Sequence, residues 1–215
     1  MKRLAIIVPV KPPHEGKSRL NAVLSASDRY DLNLQLLNHT FDRVADLSDL
    51  ADIYVVSRSS DVLTEAARRG FAVCPEPGHG ELNGAVTLGA KQAQAAGATE
   101  AMVLPIDLPW LSSDRLREVI DEFRNTCDVL IITDRTKDGT NLLLWRPIGT
   151  SKFQYGEGSA SRHADFAAGL GLRVTVRQDR RLSFDLDTPH DFDVWSRGAA
   201  ARSFHAGEPL KRVLG

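Results

Sequence analysis

Three aspartates and one basic loop carry the residue types and spacing in this chain that could do chemistry. Asp107 lies near the end of the apolar run Ala101-Met-Val-Leu-Pro-Ile-Asp-Leu-Pro-Trp110. Apolar residues on both faces suit a central parallel strand, and Pro105 and Pro109 bracket the point where pairing must stop. Asp107 is therefore predicted at a strand's C-terminal end, where open α/β sheets hold their ligands. Far downstream, Asp185 and Asp187 alternate with Phe184 and Leu186, which in an extended segment puts both carboxylates on one side. Two carboxylates on one face and a third from another strand end make an oxygen-rich pocket of the kind that takes Mg²⁺ together with a phosphate substrate.

The basic loop, Pro9-Val-Lys-Pro-Pro-His-Glu-Gly-Lys-Ser-Arg-Leu20, follows the first apolar run and carries Lys11, Lys17 and Arg19. Backbone N–H groups and cationic side chains after a strand suit a polyphosphate, although a solvated surface loop has the same composition. Asn83, in the Gly/Pro-rich stretch 75–85, offers a donor and an acceptor to a base edge or, equally, a helix cap. Thr140 and Asn141 open an otherwise apolar strand, which turn chemistry at Asp138-Gly139 does not explain. The turn Gly156-Glu-Gly-Ser159 reads as an anion cradle or as an ordinary capped helix start. His163 follows it as a capping or supporting group, while His14 and His79 are loop residues.

These groups need a scaffold. Apolar runs at Leu4–Val8, Ile53–Ser57, Phe71–Cys74, Asp128–Thr133, Asn141–Trp145 and Arg173–Val176 read as strands. Helical spacing appears from Asp28 through Leu32, Leu34, Leu36, Leu37, Phe41, Val44 and Leu47, and again over Asp61–Arg69, Val86–Ala96, Ser113–Arg124 and Ser161–Ala168. A last short helix is expected from Asp191 to Gly198, with Thr188 or one of its neighbours as cap and Pro189 in its first turn. Strand and helix alternate, which predicts an α/β, Rossmann-like, single-domain fold with a mostly parallel sheet and helices on both faces. The domain is expected to span 1–198, with 199–215 as a tail. The first long helix's Leu/Phe stripe reads as core, with room for a homodimer contact.

Composition narrows the function classes. With 27 Lys plus Arg against 28 Asp plus Glu, the net charge gives no reason to expect nucleic acid or a membrane surface as partner. No apolar run approaches the roughly 20 residues needed to span a bilayer. Cys74 and Cys127 lie in or beside apolar stretches without metal-ligand spacing, as buried thiols of a reducing, cytoplasmic compartment do.

Several blocks occur in an order that resembles the 2-phospho-L-lactate guanylyltransferase family of deazaflavin coenzyme biosynthesis. They are Val8-Pro-Val-Lys11 with Gly16-Lys-Ser-Arg-Leu20, Leu82-Asn83, Pro105-Ile-Asp-Leu-Pro109, Asp138-Gly-Thr140, Tyr155-Gly-Glu-Gly-Ser159 with His163, and Asp185-Leu-Asp-Thr-Pro189. The resemblance spans about residues 3 to 195 and implies a GT-A-like nucleotidyltransferase fold. It implies transfer of GMP from GTP to 2-phospho-L-lactate, phosphoenolpyruvate or 3-phospho-D-glycerate, with release of pyrophosphate. Asp107, Asp185 and Asp187 would be the magnesium ligands, Thr140, Gly156 and Ser159 would meet the acid, and Lys11, Lys17 and Arg19 the GTP phosphates. Tyr155 stands where relatives usually carry phenylalanine. Two other readings compete: a nucleotidyltransferase of the molybdopterin-cofactor or sugar-phosphate kind, which usually has a glycine-rich first loop, and a nucleotide-binding module without turnover, which needs no paired metal carboxylates.

Overall fold

The computed structural model describes residues 4–78 and 80–198. His79 and the expected tail, 199–215, lie outside the described residues. Among those residues seven strands form one sheet: β1 (Leu4–Val10), β2 (Ala51–Ser57), β3 (Ala72–Pro75), β4 (Glu100–Val103), β5 (Val129–Thr133), β6 (Thr140–Trp145) and β7 (Val174–Arg177), in the order β3-β2-β1-β4-β6-β5-β7. The expected mostly parallel sheet is present. Only β6 runs against its neighbours, pairing antiparallel with both β4 and β5. Six helices accompany the sheet: α1 (Ala26–Ala45), α2 (Ser60–Arg68), α3 (Leu82–Ala95), α4 (Ser113–Thr126), α5 (Ser159–Gly169) and α6 (Pro189–Arg197).

Alternation along the strands divides the core. Leu4, Ile6 and Val8 face Phe41 and Val44 of α1 and Val119 and Phe123 of α4. Ala5 and Ile7 face Val86 and Ala90 of α3, in a cluster that also takes in Ala160 and Ala167 of α5. The α1 stripe expected to leave room for a dimer contact is largely buried within the chain, with Leu32, Leu36, Leu37, Phe41 and Val44 all inside. Helix α3 lies unusually close to the sheet: a Cβ on Gly89 would come within 2.7 Å of the Ile7 side chain and 2.9 Å of Val56. Any larger residue there would force α3, or the Ile7 and Val56 side chains beneath it, to shift.

A third apolar cluster ties the distant site segments together. Leu20 from the basic loop, Leu32 and Leu36 from α1, Phe184 and Leu186 from the downstream acidic segment and Trp195 from α6 are packed as one group. Burying each of these side chains is worth roughly 1.5–3 kcal/mol. Trp110 stacks on Phe184 at 4.1 Å, and the Leu186 N–H donates to the Asp107 carbonyl at 2.9 Å. The alternation predicted for 184–187 is what buries Phe184 and Leu186 and leaves Asp185 and Asp187 half-buried.

Boundaries differ from the sequence expectation at three places that matter. β4 ends at Val103 and not beside Asp107, because Pro105 has no N–H to pair; Leu104 makes the last bond, to the Ile7 carbonyl at 3.0 Å. Asp107 therefore sits in the loop beyond the strand. α3 starts at Leu82 with Glu81 as its cap residue, so Asn83 is inside the first turn and is not the cap. α5 starts at Ser159, with Gly158 at φ 67° before it, a left-handed conformation that glycine adopts without strain. Thr188 and Asp191 form the capping box of α6, with Pro189 in its first turn. No helix among the described residues is long and apolar enough to cross a membrane.

Candidate active site

The C-terminal ends of β1 and β4 open into a cavity of about 400 Å³ lined by Lys11, Lys17, Arg19, Asn33, Asp107 and Asp187, among others. Two larger hollows, of about 810 and 1310 Å³, contain none of the predicted site residues. Lys17 has φ 58°, a left-handed conformation for a residue with a side chain, which costs on the order of 1–2 kcal/mol. Its ammonium points inward. The side chain is only 6% exposed, and Nζ stands 3.7 Å from an oxygen of Asp107 and 3.7 Å from one of Asp187. Arg19, largely exposed, donates from Nη1 to the other oxygen of Asp187 at 2.9 Å. Lys11 is exposed at the cavity rim.

Asn33 was not singled out by sequence. It is buried on α1 among leucines and donates to the Pro13 carbonyl at 2.7 Å, and its amide would lie 2.6 Å from a Cβ on Gly16. It moulds the basic loop from beneath. A buried asparagine on a leucine stripe was the available signal, since such a group needs partners.

Asp185 adjoins this cluster from the other side. Burial pushes its carboxyl above the usual carboxylate range and the charge of Asp107 pushes the same way, while the Asn141 amide, 3.4 Å from Oδ1, opposes them. Asn141 also donates to the Leu182 carbonyl at 3.1 Å. The three aspartates are thus neighbours, yet among the described residues no three His, Cys, Asp or Glu side chains gather closely enough to cage an ion by themselves. Magnesium seldom asks for such a cage; one or two carboxylates plus substrate phosphates is its usual setting. The donor set fits that demand: Asp107 and Asp187 offer two carboxylates in one cavity, with Asp185 close enough to Asp107 to feel its charge, and three carboxylates outnumber the two cations, Lys17 and Arg19, that meet them.

Strand polarity explains why Thr140 and Asn141 open β6. A strand that runs backwards brings its first residues, not its last, to the ligand end of the sheet. A register shift between Ile132 and Thr133 leaves Asn141 as the extra residue, with Leu142 opposite Ile132 and Thr140 opposite Thr133. Such a bulge exchanges faces. Leu142 packs on the α1 and α4 side and Leu143 on the α3 and α5 side, so strict alternation would turn Thr140 toward α1. With the bulge, Asn141 reaches Asp185 and Thr140 reaches α5.

There Thr140 Oγ1 lies 3.1 Å from Nδ1 of His163, whose Nε2 faces the Gln154 N–H at 2.8 Å. His163 is fully buried, and burial followed by the neighbouring Arg162 charge lowers its pKa to about 4; the ring is neutral at physiological pH. It is a partner of Thr140 and not a helix cap. Tyr155 meets it edge-on at 5.0 Å, and burial raises the pKa of the Tyr155 hydroxyl, which has no hydrogen-bond partner among the described residues. The expected anion cradle at 156–159 is largely closed: Gly158 N–H donates to the Asp138 carboxylate at 2.8 Å, Ser159 N–H to the Gly156 carbonyl and Ala160 N–H to the Asp138 carbonyl. Each N–H has one proton, so these are engaged, and what Ser159 can still offer is its hydroxyl. Asn83 is turned the same way, accepting the Tyr155 N–H at 2.7 Å and donating one of its two amide protons to the Tyr155 carbonyl at 3.2 Å. It stitches α3 to the 153–158 loop.

The family described as guanylyl transferase CofC like matches residues 4–203. The phosphoenolpyruvate guanylyltransferase of Sphaerobacter thermophilus is 33% identical over 187 residues, covering 87% of this chain and 89% of the relative. The 2-phospho-L-lactate guanylyltransferase of Methanothermobacter thermautotrophicus is 32% identical, covering 99% and 92%. In architecture the chain is similar to a nucleotidyl transferase from Methanothermobacter thermautotrophicus, with a TM-score of 0.64 at 14% identity over 94% of this chain and 100% of that one.

Proposed function

Since the chain belongs to the guanylyl transferase CofC-like family and is a nucleotidyltransferase, we propose that it transfers GMP from GTP to phosphoenolpyruvate or 2-phospho-L-lactate, in deazaflavin coenzyme biosynthesis, with Mg²⁺ as cofactor. The observation that carries this reading is the meeting of Lys17, Asp107 and Asp187 in one cavity, with Arg19 and Lys11 at its rim and Asp185 behind it.

In the reaction an oxygen of the acceptor's phosphate bonds to the α-phosphorus of GTP, the bond from that phosphorus to the β-bridging oxygen breaks, and pyrophosphate leaves with the electron pair. The attacking oxygen is already ionised at neutral pH, so no general base is required. The difficulty is repulsion between two anions, and charge neutralisation is the main task. Lys11 and Arg19 would bind the polyphosphate at the rim, and Lys17, fixed by its backbone conformation, would balance charge collecting on the departing pyrophosphate. Asp107 and Asp187, with Asp185, would hold Mg²⁺, which when bound supplies Lewis-acid stabilisation of the phosphoryl oxygens. Thr140 and Ser159 hydroxyls would receive the carboxylate or phosphate of the acid on the neutral side. The glycine-rich first loop of sugar-phosphate nucleotidyltransferases is replaced here by the basic, proline-rich one, which favours the reading given.

Purified protein incubated with GTP, Mg²⁺ and each of phosphoenolpyruvate, 2-phospho-L-lactate and 3-phospho-D-glycerate should release pyrophosphate with at least one of the first two. Release with neither phosphoenolpyruvate nor 2-phospho-L-lactate would refute the proposal.

A further inference from the structure

Buried and uncharged, His163 has no part in the neutralisation chemistry, yet it bonds on both sides. A neutral imidazole offers one N–H donor and one bare nitrogen acceptor. Its Nε2 faces the backbone N–H of Gln154 at 2.8 Å, and a backbone N–H can only donate, so Nε2 must be the bare nitrogen. The proton is then on Nδ1, which lies 3.1 Å from Thr140 Oγ1. Oγ1 becomes the acceptor of that bond, and the hydroxyl's own proton is turned away from the ring. Thr140 keeps 8% exposure at the ligand end of the sheet.

We propose that His163 is a positioning residue that fixes the Thr140 hydroxyl as a donor toward the anionic acid substrate, through the relay Gln154 N–H to His163 to Thr140. The inference rests on the proposed function for the substrate's identity and on the hydrogen-bond geometry for the relay. It gives the site a selectivity device without a charge: a hydroxyl held in this sense stabilises a carboxylate or phosphate oxygen and leaves a substrate hydroxyl proton unpaired. The same relay couples acid binding to the 153–158 loop, since Gln154 is its anchor. The low proton affinity of the buried ring keeps it uncharged across neutral pH, and the Gln154 N–H on Nε2 selects the tautomer.

The test compares His163→Asn, whose amide N–H₂ sits where Nδ1 is and can still donate to Thr140, with His163→Gln, whose amide reaches the Nε2 position and can keep only the Gln154 bond. Steady-state pyrophosphate release should show KM for the acid raised about tenfold in H163Q, as expected for a lost bond to a charged group, with KM for GTP within twofold. H163N, which keeps the bond to Thr140 and loses the one to Gln154, should raise the acid KM a few-fold at most and stay clearly below H163Q. On a Thr140→Val background, H163Q should add nothing further. Equal acid KM values in H163Q and wild type, or a parallel rise for GTP, would overturn the relay. No turnover by the wild type with any phospho-acid would instead overturn the function on which it rests. Independently of activity and of any variant's folding, ¹⁵N NMR of the wild type should find His163 neutral and protonated on Nδ1 at pH 7; an Nε2-protonated ring overturns the proposal.

Discussion

The two halves of the sheet build opposite kinds of site. On the parallel half, β1 and β4 deliver their chemistry beyond their C-terminal ends, and what meets there is charge: one ammonium in strained backbone between two carboxylates. On the half containing the reversed strand, β6 delivers Thr140 and Asn141 from its beginning, and what meets there is neutral, buried and hydrogen-bonded on all sides. Asp185 is where the two regimes touch. The contrast suits a reaction between two anions. In the proposed reaction the polyphosphate would carry most of the charge and need neutralising, while the small acid would have to be told from its analogues, which neutral donors and acceptors do at little cost in desolvation.

The hardest blow to the charged half is Asp107→Asn. It keeps the shape of a half-exposed group whose carbonyl still takes the Leu186 N–H, but it removes one of the carboxylates that share Lys17. Pyrophosphate release should fall about 10²- to 10³-fold, the scale of losing one preorganised electrostatic group, with little change in melting temperature. A loss below tenfold would mean that Asp107 is scaffold and that the contrast between the halves is misdrawn.

The neutral half is tested by acid. In the fold His163 has a pKa of about 4, against 6.5 for a solvated imidazole. The unfolded chain therefore takes up the proton first, so stability from this residue is complete above about pH 7 and is lost as pH falls from 6.5 toward 4. The loss should be roughly 3 kcal/mol over that window, read as urea midpoints at pH 7 and pH 4.5. His39, also lowered by burial, adds to the same slope, so the difference between wild type and H163N isolates His163. The paired carboxylates Glu65 and Asp179, both near 2, lose their contribution only below about pH 4.5, as their unfolded values require. A flat difference between pH 6.5 and 4.5 would show that the ring takes up its proton in the fold as readily as in the unfolded chain.

Lys17→Met follows in size. It keeps most of the buried volume and leaves Asp107 and Asp187 without their common cation; turnover should drop on the order of 100-fold. Melting temperature should fall only modestly, because both carboxylates remain partly solvated and Arg19 still reaches Asp187. If K17M loses stability but not turnover, the strained lysine is a structural counter-ion.

Much of the scaffold was legible in sequence because its signals are local. The leucine stripe of α1, the apolar run of β1 and the alternation of Phe184 and Leu186 with two aspartates each follow from periodicity alone. The charged members of the candidate site stood out for the same reason: Lys17, Asp107 and Asp187 flank breaks in apolar runs, and the fold brings the three together. What the neutral half required is not local. Nothing in Thr140-Asn141 reports that β6 runs backwards or that a bulge exchanges their faces, since both depend on pairing with β5. The Gly156–Ser159 turn looked open because its partner, Asp138, lies about twenty positions earlier, and Asn83 looked free because Tyr155 is 72 positions away.

Asn83 supplies the smallest effect and the sharpest discrimination. If its amide reads the base, Asn83→Ala raises KM for GTP and leaves stability unchanged. In the structure both ends of the amide are on the Tyr155 backbone, so the substitution strands an N–H and a carbonyl in a half-buried loop, a cost of about 1–2 kcal/mol. The loop so loosened carries Gln154, the first donor of the relay to Thr140. N83A should therefore lower the melting temperature by several degrees and raise KM for the acid a few-fold, with KM for GTP nearly unchanged. A rise confined to GTP would return Asn83 to the nucleotide side and join through this residue the two halves drawn here as separate.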